Sequence, residues 1–171
     1  MARRSGFTLV EILIVVVILG ILATIVIPQF SNAAVEAREN ALKDDLRYIR
    51  TQLQVFRAQH ADVSAGYPGG ASTAVPTEAA FVDQMTRFSN MACATSATSS
   101  ATYKFGPYLS RIPENPLNNS AKIKMIPNGT AMPAPLAGEA NQYGWIYKPS
   151  TSEIIANSIG NDATGTPYSK Y

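Results

Sequence analysis

Cysteine and histidine occur once each in this sequence, as Cys93 and His60. A lone thiol excludes a disulfide framework within the chain and any multi-cysteine metal or iron–sulfur centre. A lone imidazole excludes His-pair zinc motifs, and no Ser/His/Asp-type motif surrounds it. Charge is scarce as well. Charged residues make up 15% of the chain against 46% hydrophobic ones, which excludes a charge-rich disordered protein. Net charge is +2 with no basic cluster beyond Arg3-Arg4, so nucleic acid is not expected as a direct partner. Carboxylates are scattered, and neither a Gly-rich phosphate loop nor a nucleophile elbow is present, so the chain does not read as an enzyme. At 171 residues it has room for one modest domain.

What is abundant is apolar sequence at one end. After the polar stretch Met1–Gly6, Phe7 to Ile27 reads FTLVEILIVVVILGILATIVI, with Glu11 as its one charge. As a helix this run reaches roughly 30 Å, the hydrocarbon thickness of a bilayer. Arg3 and Arg4 predict a cytoplasmic N-terminus and an exported remainder. A secretory signal peptide is the ordinary alternative, with Ser31-Asn32-Ala33 as its cleavage site. The run is too long for a signal core of about 7–15 residues, and such a core has no use for Glu11. No cysteine follows the run, which excludes a lipoprotein. A plain single-pass anchor also leaves Glu11 unexplained, because a charge within a membrane helix is costly and normally has a partner.

Gly6-Phe7-Thr8-Leu9-Val10-Glu11 resembles the leader junction of type IV pilins and type II secretion pseudopilins, and the similarity extends from Arg4 through Pro28. The resemblance implies cleavage by the prepilin peptidase between Gly6 and Phe7, N-methylation of the new terminal Phe7, and a mature chain whose fifth residue is Glu11. It implies a type IV pilin-like α+β fold: a long N-terminal helix, transmembrane in its first half and amphipathic in its second, packed on a small antiparallel sheet. The expected divisions are a leader at 1–6, a transmembrane or filament-core helix at 7–28, an amphipathic spine at 29–60 and a globular head at 61–171.

The chemistry at the junction follows from electrostatics. Cleavage would strand a charged amine at Phe7 on top of an apolar helix. Glu11 lies one turn on, near the positive helix end, where a carboxylate is favoured. Pairing the two relieves both desolvation costs. Made between chains, the pair would fix an axial offset of about 6 Å, and a repeated head-to-tail contact that does not close generates a helical filament. Glu11 and Phe7 are therefore the expected assembly residues.

Pro28 has no N–H for the Thr24 carbonyl, and Gly20 weakens the helix two turns earlier, so a bend is expected between or at these residues. Close helix packing through Gly20 and Thr24 is the alternative reading of Gly20. Beyond Pro28, Val35, Leu42, Leu46, Ile49, Leu53 and Phe56 form one apolar stripe. Glu39, Lys43, Arg47 and Arg50 are expected on the opposite, solvated face, with Glu39–Lys43 as an i,i+4 pair.

In the head, Asp62 to Gly70 stops the helix. Thr77 is expected to cap a second helix running to about Met91, with Phe81, Met85 and Phe88 facing inward and Asp83–Arg87 paired. Ala92 to Thr102 reads as a mobile small-residue loop containing an inert Cys93. The proline-rich segment from Gly106 to Leu117 is expected to lie extended. Ala121–Ile126, Tyr143–Lys148 and Glu153–Asn157 are expected strands, the last two joined at Pro149–Ser152. Trp145 and Tyr147 alternate with Ile146, so one strand face should be buried. The segments GPYL, IP, NPLN and GWIY are similar to the head of major type II secretion pseudopilins. Some members of that family hold calcium in a C-terminal loop. Here Asn161-Asp162 offers one carboxylate, and calcium needs several oxygen ligands, so no metal and no cofactor is expected.

The resemblance implies a structural subunit inserted in the inner membrane with its head in the periplasm, then extracted into a filament by an assembly platform and its ATPase, together with minor pseudopilins. Removing Arg3 and Arg4 with the leader brings fourteen basic residues to twelve, equal to the twelve acidic ones, and a neutral head lets identical subunits pack without repulsion. The alternatives are a type IV or competence pilus subunit, serving adhesion, motility or DNA uptake, and a membrane-anchored binding module.

Overall fold

A computed structural model describes Gly6, residues 8–136 and residues 142–171. The chain divides into two compact units, Met1–Ala37 and Arg38–Tyr171. Helix α1 (Leu9–Gln59) begins in the first and ends in the second. It runs unbroken through Gly20 and Pro28, so neither residue ends the helix.

The first unit has no apolar stripe. Leu9, Val10, Ile12 to Leu19, Ile21, Leu22 and Ile25 to Ile27 are all substantially exposed, on every face. An all-round apolar helix is suited to a lipid or multi-subunit environment rather than to one side of a soluble core. The helix is long and apolar enough to cross a membrane.

In the second unit α1 does become one-sided. Leu42, Leu46, Ile49, Leu53 and Phe56 are buried at helical spacing. Val35, expected in the same stripe, is exposed. Glu39 departs from expectation in the opposite sense: it is buried, and its Oε1 accepts a hydrogen bond from the Tyr168 hydroxyl at 3.0 Å. Lys43 pairs with Asp162 at 3.7 Å and forms no ion pair with Glu39. The helix stops where Ala61 and Asp62 adopt positive φ (50° and 65°) and the Val63 N–H turns back to the His60 carbonyl.

Helix α2 (Glu78–Thr86) starts as expected, with the Thr77 hydroxyl accepting from the Ala80 N–H at 3.2 Å. Phe81 and Met85 are buried, and the Asp83–Arg87 pair forms at 3.0 Å. It ends earlier than expected. Phe88-Ser89 is strand β1, antiparallel to β2 (Thr95–Ser96). The turn between them is built on Asn90, whose Oδ1 accepts from the Ala92 and Ala94 N–H groups at 3.0 Å each. Cys93 sits in that turn and is buried, so this part of the small-residue segment is a structured turn.

The main sheet has the order β3 (Ile123–Met125), β4 (Trp145–Lys148), β5 (Glu153–Ala156). It is mixed rather than antiparallel. β4 and β5 form the expected hairpin, pairing Ile146 with Ile155, but β3 runs parallel to β4 with Ile123 opposite Trp145. Parallel neighbours need a long crossover, which residues 126–144 supply. β4 is also buried on both faces. Trp145 and Tyr147 join the core formed with α1 and α2, while Ile146 packs with Ile126, Ile155 and Met132 on the other side.

Candidate functional site

The chemistry expected of this chain centres on the start of α1. Thr8 precedes the first helical residue, and Glu11 is the third residue within it. The Thr8 Oγ1 accepts from the Glu11 N–H at 3.2 Å, and Glu11 Oε2 accepts from the Thr8 N–H at 2.7 Å. Oε2 also accepts from the Thr8 hydroxyl at 2.7 Å. This reciprocal arrangement is a capping box, which satisfies two N–H groups that a helix start would otherwise leave unpaired. Its signature, Thr8-Leu9-Val10-Glu11, stands in the sequence and is the one local signal at the junction that the resemblance alone passes over.

The cap uses one carboxylate oxygen. Among the described residues Glu11 Oε1 accepts no hydrogen bond. A carboxylate with one oxygen committed to its own helix, and the other engaged by none of the described residues, is held in a fixed direction and can still accept a cation. Gly6 is exposed, and a Cβ placed on it would meet no atom within 4 Å. The same is true of Gly20. Among the described residues nothing packs against either glycine. The Thr24 hydroxyl donates to the Gly20 carbonyl at 2.9 Å, inside the helix.

Phe7, the expected methylation and assembly residue, lies outside the described residues, as do Arg3 and Arg4. The structure brings Glu11 together with Thr8; Gly20 and Pro28 lie further along the same helix. In the head the chemistry is that of packing. The NPLN asparagines act as substitutes for backbone pairing. Asn115, fully buried, donates to the Gly144 carbonyl at 2.8 Å and the Ser158 hydroxyl at 3.0 Å, and accepts from the Leu117 N–H. Asn118 donates to the carbonyls of Tyr143 and Asn157. Trp145 of GWIY donates from Nε1 to the Pro113 carbonyl at 2.9 Å. A Cβ at Gly144 would lie 1.8 Å from the Ser120 carbonyl oxygen, so only glycine permits that approach. The IP, NPLN and GWIY segments thus dock on one another. Sequence spacing does not reveal most of these contacts, because all but the Asn115–Leu117 bond join residues far apart in the chain. Among the described residues no group of three or more His, Cys, Asp or Glu side chains is placed to hold a metal ion.

Comparison with known proteins points to both parts of the molecule. Residues 1–27 match the family described as the prokaryotic N-terminal methylation motif. The type II secretion system core protein G of Pseudomonas aeruginosa is 44% identical over 55 residues, covering 32% of this chain and 39% of that one. The core protein G of Dickeya chrysanthemi is 25% identical over 163 residues, covering 94% and 91%. The type IV major pilin protein PilA of Myxococcus xanthus is 41% identical over 54 residues, covering 32% and 24%. The chain thus spans well under half the length of the Pseudomonas and Myxococcus relatives and nearly all of the Dickeya one. No solved structure matches the chain.

Proposed function

The chain belongs to the family of type IV pilins and type II secretion pseudopilins, and on that premise we propose that it is a structural subunit of a type II secretion pseudopilus. In this reading the prepilin peptidase cuts between Gly6 and Phe7, and the terminal Phe7 is N-methylated. The apolar first unit anchors the chain in the inner membrane with its head in the periplasm. An assembly platform and its ATPase then draw it into a helical filament with minor pseudopilins.

The observation that carries this reading is the half-used carboxylate of Glu11. In an apolar helix a charged oxygen that no described residue engages is expensive, and the cation best suited to it is the Phe7 amine of a neighbouring subunit. The exposure of Gly6 supports the processing step, since an external peptidase must reach this position. The secretion reading is favoured over a pilus because the pilin similarity covers only the N-terminal third, whereas a secretion pseudopilin is similar over almost the whole length, head included.

Mass spectrometry of the chain from membranes tests processing. A mature species beginning at methylated Phe7 is expected; one beginning at Met1 would favour a plain anchor, and one at Ala34 a signal peptide. For assembly, Glu11→Gln should insert normally and form no filaments. Normal filaments from that variant would sink the pairing.

A further inference from the structure

We infer that the C-terminal loop at 160–171 is closed by the Lys43 ammonium in place of a metal ion, with Asp162 as the anion that it clamps. The inference stands apart from the assembly reading, since every group in it belongs to the head.

The loop is organised around one carboxylate. Asp162 Oδ1 accepts from the Thr164 N–H at 2.8 Å, the Thr164 hydroxyl at 2.6 Å and the Thr166 N–H at 2.9 Å. Oδ2 accepts from the Tyr171 hydroxyl at 2.8 Å and lies 3.7 Å from Lys43 Nζ. The Asp162 side chain is only 7% exposed, and that of Lys43 39%. The Lys43 ammonium also sits 4.3 Å from the centre of the Tyr171 ring, a cation–π contact. Lys43 is on α1, so it ties Asp162 to the helix spine, while Arg50 of the same helix donates from Nη2 to the Tyr171 carbonyl at the loop's far end.

The donor set does not suit calcium. That ion takes six to eight oxygen ligands at about 2.3–2.6 Å. Asp162 is the loop's one acidic side chain, and both of its oxygens already face hydrogen-bond donors. The next acidic group, Glu39, accepts from Tyr168. An ammonium beside Oδ2 would repel a second cation. Lys43 instead supplies the positive charge without demanding that the carboxylate shed its donors. The hydrogen bonds from Thr164, then those from Thr166 and Tyr171, hold the Asp162 carboxyl well below the ordinary carboxylate range, as expected for an anion that stays charged.

The full-length chain in detergent micelles tests this. Thermal unfolding followed by Trp145 fluorescence should have the same midpoint in excess calcium and in EGTA, and equilibrium dialysis should find no saturable uptake of radiolabelled calcium. Lys43→Met should speed amide exchange at Asp162, Thr164 and Thr166 several-fold, and Lys43→Arg should restore most of the protection. Should Lys43→Met fail to fold, Tyr171→Phe, which removes one donor to Oδ2, should give the same direction of change. Two results would overturn the inference: calcium that slows exchange of these amides in the unaltered chain, or exchange that is unchanged in Lys43→Met.

Discussion

The hydroxyl of Tyr168 donates to Glu39 Oε1 at 3.0 Å, joining the C-terminal turn to a carboxylate buried on α1 across 129 positions of sequence. A buried carboxylate that loses a donor bears its desolvation alone. Tyr168→Phe should therefore lower stability by about 1–2 kcal/mol, read as a shift in the urea midpoint of the full chain in micelles. An unchanged midpoint would mean that water serves Glu39 equally well.

His60 is buried, stacked on Phe56 at 3.9 Å, with Phe105 and Tyr108 edge-on. Its Nδ1 lies 2.8 Å from the Phe56 carbonyl, which can only accept, so Nδ1 carries the proton and Nε2 accepts from the Ser89 hydroxyl at 3.0 Å. Burial pulls the imidazole pKa below its ordinary 6.5. The unfolded chain then binds more protons than the folded one over this window. Stability is full above about pH 6.5 and falls as pH drops through the depressed value. His60→Gln should flatten that slope between about pH 7 and pH 5; a slope equal to that of the unaltered chain would assign it to other groups.

Gly144 touches the Ser120 backbone so closely that a methyl group must displace the chain between NPLN and β3. Gly144→Ala should cost at least about 3 kcal/mol or prevent folding of the head. Protease resistance of the Arg38–Tyr171 unit is the readout, and a resistant variant would show that the crossover yields.

Cys93 is buried, and burial pushes its thiol up to about 11. A thiol that stays protonated is a poor nucleophile. It should react with a disulfide reagent at mildly alkaline pH only after the head is unfolded, and rapid labelling of the folded chain would contradict its placement.

Thr8→Val removes the hydroxyl from the capping box but leaves size and branching alone. The first turn of α1 should loosen by about 1 kcal/mol, seen as faster amide exchange at Glu11, whereas Thr8→Ser should retain protection. Equal exchange in both variants would show that the apolar helix needs no cap.

The parts of the fold that were legible are those whose signal is local. The all-round apolar run of α1, its stripe from Leu42 to Phe56, the Thr77 cap and the β4–β5 hairpin all follow from spacing within a few residues. Several departures share one cause, a partner remote in sequence. Glu39 reads as solvated until Tyr168 arrives, and Lys43 as its neighbour's partner until Asp162 does. β3 reads as one more antiparallel strand because nothing in its three residues encodes the crossover. The alternation in β4 predicts one buried face, and residues 126 and 132 bury the second face at Ile146 as well. At the functional end Glu11 stood out as a charge in an apolar run, but its engagement with Thr8 was hidden behind the expectation of a partner on another chain.

The parallel pairing of β3 with β4 imposes an order of events on the newborn head. β4 and β5 can zip together from the tight turn at Pro149–Ser152 as soon as both are available, since short-range closures cost little entropy. β3 is made earlier but must wait, edge unsatisfied, until the chain has been extended as far as β4. That waiting interval is when a nascent head is most open to capture by a chaperone or by a neighbour's strand.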